Sequence, residues 1–169
     1  MSNANISGSF SPEDWALVRS SPLLAGLLIT LSDLRTGPIG VLKEGFAPSQ
    51  AIIEAGEGAA NPIVASVVAN IKEMAKKGER LQPPFQVSGK NPEQLKTEVA
   101  ALLKRIPGIL DAKVSSEQAA GFKSWLVTIA DNVANAAREG GFLGFGGERV
   151  SAAESAAIKE LASALGVQA

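Results

Sequence analysis

The sequence predicts an all-α fold, a compact bundle of six or seven helices, and three observations carry that prediction. Hydrophobic residues make up 46% of the 169-residue chain while aromatic residues make up only 5%. The apolar content is therefore mostly alanine, leucine and valine, a balance that favours helices over strands. Ser or Asn stands directly before Pro at Ser11-Pro12, Ser21-Pro22, Asn61-Pro62 and Asn91-Pro92. Proline suits the first helical position because its missing N–H would have been unpaired there, and the preceding side-chain oxygen accepts from a free amide of the first turn. Between these starts the apolar residues recur at helical spacing.

Taken in order, residues 1–10 read as a flexible polar arm, "MSNANISGSF", with neither the basic nor the apolar region of a signal peptide. Ser11-Pro12 opens a helix whose Glu13 and Asp14 complement the helix dipole. Ser21-Pro22 is expected to open the next, along "PLLAGLLITL". That run has about half the length a membrane span needs, so it predicts a buried core helix. Pro48 opens another. From Pro62, the residues Ile63, Val64, Val67, Val68, Ile71 and Met74 form one apolar face. The basic residues Lys72, Lys76, Lys77 and Arg80, interleaved with Glu73 and Glu79, read as a solvated helix end.

Residues 81–91, "LQPPFQVSGKN", read as a linker: Pro83-Pro84 forbids a helix, and Phe85 and Val87 offer anchors to the core. Here an N-terminal group of short helices would divide from a C-terminal three-helix unit, within a single helical domain over 11–169. From Pro92 the buried line is Leu95, Val99, Leu102, Leu103 and Ile106. The longest helix is expected over 116–139, with Phe122, Leu126, Ile129 and Val133 inward and a polar stripe of Ser124, Thr128, Asp131, Asn132, Asn135 and Arg138. The last is expected over 152–165, ending at Gly166.

Two of these helix starts resemble each other. "KVSSEQAAGFKSW" and "RVSAAESAAIKEL" align at a constant offset of 36 residues, so that Val114, Ser115, Ala120 and Lys123 recur as Val150, Ser151, Ala156 and Lys159. Each carries a capping box, Ser115 with Gln118 and Ser151 with Glu154, preceded by a valine placed as a hydrophobic staple. The apolar helix, the loop and the following "VS..ES..IKELASALG" resemble the tellurite-resistance (TerB-like) family of small bacterial helical proteins. In that family an Asp-Gly turn precedes a capped helix, and acidic side chains are implicated in metal binding. The resemblance covers the last 60 or so residues. It implies an all-helical fold and a stress-related bacterial setting. Asp111 stands where the family's aspartate would, with Glu117 or Gln118 downstream; in the second copy glycines replace the aspartate and leave Glu148 and Glu154. These four carboxylates are the candidate ligands for an oxygen-bound Ca- or Mg-type cation.

Composition excludes more chemistry than it suggests. With no His and no Cys, the chain lacks the commonest general base, the usual zinc ligands and any thiolate. Only oxygen ligands remain, which suit calcium or magnesium. The expectation is a non-enzymatic protein without a cofactor. The lack of cysteine fits a reducing cytoplasm, the expected location. Net charge is −1, so there is no electrostatic footprint for nucleic acid.

One stretch stands out: "GGFLGFGG" at 140–147. Its G-x-G lacks the third glycine of a dinucleotide fingerprint, because that position is Arg149, and no strand precedes it. It reads instead as a helix connection. Gly140 or Gly141 supplies a left-handed cap, and Phe142, Leu143 and Phe145 cover the helix ends or, if exposed, form a patch for a protein partner. Function is therefore expected to be interaction or accessory, through the loop residues Phe142, Leu143, Phe145 and Arg149 or through an exposed helix groove. A divalent-cation or small-ligand binder is the alternative. Alanine-rich helix faces also permit a tight homodimer.

Overall fold

A computed structural model describes residues 6–32, 48–86, 90–139 and 152–168, the side chains of residues 48 and 136–139 excepted. Its described residues form six α-helices and no strand, an all-α bundle as expected. They are α1 (Pro12–Ser32), α2 (Pro48–Gly56), α3 (Pro62–Lys76), α4 (Pro92–Lys113), α5 (Ser116–Glu139) and α6 (Ala152–Leu165), preceded by a 3-10 turn at Ile6–Ser9.

Helix α1 is the strut of the bundle and touches all five other helices. Every residue from Ser20 to Ile29 is buried, as suits a helix that is apolar on all sides. By length and composition α1 is also the one described helix able to cross a membrane. Here the apolar surface faces α4, α5 and α6, which enclose it, while α2 and α3 pack together and close over α1 and α5. A single core cluster runs through all six helices. The N-terminal helix thus packs among the three C-terminal ones.

Two sequence expectations need correction. Ser21-Pro22 does not begin a helix: α1 runs unbroken from Pro12, with Pro22 inside it. A proline there removes the N–H that would have bonded the carbonyl of Val18, four residues back. The hydroxyl of Ser21 takes its place, donating to the Val18 carbonyl at 2.7 Å. Both residues are buried, so the substitution of one donor for the other keeps the carbonyl satisfied where water has no access. The second half of the N-terminal arm is also ordered into the fold. Phe10 is buried and its ring lies 5.7 Å from that of Trp15, because a large apolar side chain beside an uncovered helix start lowers its free energy by packing there.

The starts of α3, α4 and α5 obey their sequence signals. The Asn61 side chain accepts from the amides of Ile63 and Val64, and Asn91 and Gln94 form a full capping box. Ser115 and Gln118 form another: the Gln118 amide donates to Ser115 Oγ, and the Ser115 amide to Gln118 Oε1, each at 3.2 Å. Val114 packs against the core just before it, in the staple position. At the far end Gly166 takes φ 72° and closes α6, with the Gly166 amide bonded to Ser163 and the Val167 amide to Ala162. Helix α4 continues across Pro107 to Lys113, held by the buried Leu103, Ile106 and Leu110 on one side.

The described residues of the linker, 81–86, 90 and 91, are fastened to the helices. Leu81 is buried and Phe85 packs against the core. Ser20 of α1 donates to the Gln82 carbonyl at 3.5 Å. Lys90 lies 5.2 Å above the Phe85 ring and also pairs with Glu98 of α4. Val87 lies outside the described residues.

Candidate functional site

The three described candidate ligands, Asp111, Glu117 and Glu154, stand at three different helix ends. Asp111 lies in the last turn of α4, not in a turn between helices. Its carboxylate is 3.6 Å from Lys123 Nζ of α5, with the lysine side chain 13% exposed and the aspartate 63%. The pair joins two consecutive helices across their two-residue connection, and so Asp111 already has a cationic neighbour. Glu117 is exposed in the first turn of α5 and Glu154 is buried in the first turn of α6. Acidic residues at both places complement the positive end of a helix dipole. Glu154 also has an interaction partner within the protein. Among the described residues no three acidic side chains come together as a metal would require. Glu148 lies outside those residues, as do Phe142, Leu143, Phe145 and Arg149.

The second capping box is described only in part, since Ser151 is outside the described residues. The helix it opens keeps the register of the first. At the offset of 36, Trp125, Leu126 and Ile129 of α5 correspond to Leu161, Ala162 and Leu165 of α6, and all six are buried. The two starts therefore lead helices into the core with the same face inward. This likeness is one of packing, and it repeats no acidic side chain: Glu117 corresponds to Ala153, and the neutral Gln118 to Glu154.

Helix α5 has two contrasting sides. Ala119, Phe122, Trp125, Leu126, Ile129, Ala130 and Ala134 face the core. Ala120, Gly121, Ser124, Thr128, Asp131, Asn132 and Asn135 are exposed. Among the described side chains of α5 the exposed charged residues are Glu117, in its first turn, and Asp131. By contrast the exposed residues of α4 include Glu93, Lys104, Arg105, Asp111 and Lys113. From Ala120 to Asn135 the weakly charged face of α5 extends about 22 Å. The stripe is solvated in this structure, with the Thr128 hydroxyl donating to the Ser124 carbonyl at 3.1 Å. Arg138, the last member of the stripe, has its side chain outside the described residues.

Sequence reasoning missed two sets of polar contacts that bridge distant segments. The first holds α2 and α3 on α5. Trp125 donates its indole N–H to the Ala55 carbonyl, and Asn61 donates from Nδ2 to the Gln118 carbonyl at 2.9 Å. Both contacts need close approach. A Cβ on Gly56 would lie 2.5 Å from Val68 Cγ2 and 3.0 Å from Trp125 Cζ2; one on Gly121 would lie 2.6 Å from Asn61 Nδ2. Glycine at these two positions is what lets the segments meet. The second joins α1 to α3, where Arg19 Nη1 donates to Asn70 Oδ1 at 3.0 Å and Arg19 Nε is buried without an acceptor. Nothing local in the sequence marks either set, because the partners stand 51 to 70 residues apart.

Described polar side chains thus cap helices, as at Asn61, join them, as at Trp125, or form surface ion pairs such as Lys72–Glu57 and Lys76–Glu73. No protein-family model matches the chain, and neither a curated protein nor a solved structure shows significant similarity to it.

Proposed function

We propose that this chain is a non-enzymatic accessory protein that engages a protein partner through the outward face of α5 and the apolar residues just beyond it. The observation that carries the proposal is the pairing of a long, exposed and weakly charged helix face with "GGFLGFGG" directly after it. Covering Ser, Thr and Asn costs less side-chain entropy than covering Lys or Glu, and desolvates fewer charges. Phe142, Leu143 and Phe145 would supply the large apolar anchors on which interfaces depend. The α5 stripe would then form the polar ground around them. The likeness of the C-terminal third to tellurite-resistance proteins supports a stress-related bacterial setting, and the absence of cysteine supports the cytoplasm.

In-cell photo-crosslinking tests the proposal. A photoreactive residue placed at Phe145 or Ser124 is expected to give the same discrete crosslinked species, and one at Thr97, exposed on α4, is expected to give none. No species from Phe145 or Ser124, or equal capture from Thr97, would overturn it.

A further inference from the structure

We draw no further inference here: the strongest candidate, the side-chain cluster in which Arg19 of α1 reaches Asn70 of α3, carries nothing because its unpartnered Nε is sealed beneath the protein's own atoms, where no ligand has access.

Discussion

The indole N–H of Trp125 donates to the main-chain carbonyl of Ala55 at 3.2 Å, across 70 residues of sequence. Ala55 lies in the last turn of α2, where a helix leaves its final carbonyls without partners of its own. A side chain of α5 therefore completes the end of α2. Replacing Trp125 with Phe keeps much of the ring packing but leaves that carbonyl without its donor. The expected loss is about 1–3 kcal/mol. Urea denaturation followed by circular dichroism measures it, and an unchanged midpoint would show that the bond contributes nothing to stability.

Asn61 has two tasks that one substitution separates. Its Oδ1 caps α3, and its Nδ2 donates to the Gln118 carbonyl of α5. Aspartate caps a helix as well as asparagine does, but as a carboxylate it has no donor and would face a carbonyl. Asn61→Asp is therefore expected to destabilise by about 1–3 kcal/mol, whereas Asn91→Asp, at a cap whose side chain is exposed, should change stability by less than about 0.5 kcal/mol. Equal effects at the two caps would contradict the bridging role of Asn61.

Ser21 and Pro22 form a pair whose effects should not add. Ser21→Ala strips the Val18 carbonyl of its donor, at an expected cost of about 1–3 kcal/mol. In a Pro22→Ala background the restored amide can bond that carbonyl, so the same serine substitution should cost at least about 1 kcal/mol less. A double-mutant cycle by chemical denaturation gives the coupling directly. Simple additivity would show that the hydroxyl does not substitute for the amide.

The dispersal of Asp111, Glu117 and Glu154 leads to an expectation for cations. Millimolar calcium, magnesium or manganese should leave the thermal midpoint within about 1 °C, since stabilisation by a ligand requires preferential binding to the folded chain. A saturable rise in midpoint that disappears in both Asp111→Asn and Glu117→Gln would instead establish the acidic residues as a binding site.

Legibility in the sequence depends on the range of the forces involved. Asn61, Asn91 and Ser115 are readable as caps because a cap and the amide it serves lie within three residues. The periodic apolar faces of α3 and α5 are readable for the same reason. Ser21-Pro22 misleads because the same dipeptide at Ser11-Pro12 does open a helix; the difference lies in burial along Ser20–Ile29, which only the assembled bundle creates. Phe10 reads as part of a free arm because its seat against Trp15 depends on tertiary packing. At the candidate site, the polar stripe of α5 is legible from spacing alone, yet the Lys123 partner of Asp111 is not, since it depends on the angle at which α5 leaves α4. The three large apolar residues at 142–145 keep the standing that the sequence alone confers.

The seating of Trp125 also gives the molecule a convenient optical property. With two tryptophans and no tyrosine in the chain, nearly all near-ultraviolet absorption and emission arises from two indoles in unlike surroundings. Trp15 is half-exposed beside Phe10, whereas Trp125 is enclosed at the junction of α2, α3 and α5. A chain retaining either indole alone would make the N-terminal edge or the inner junction visible by itself, with no attached dye.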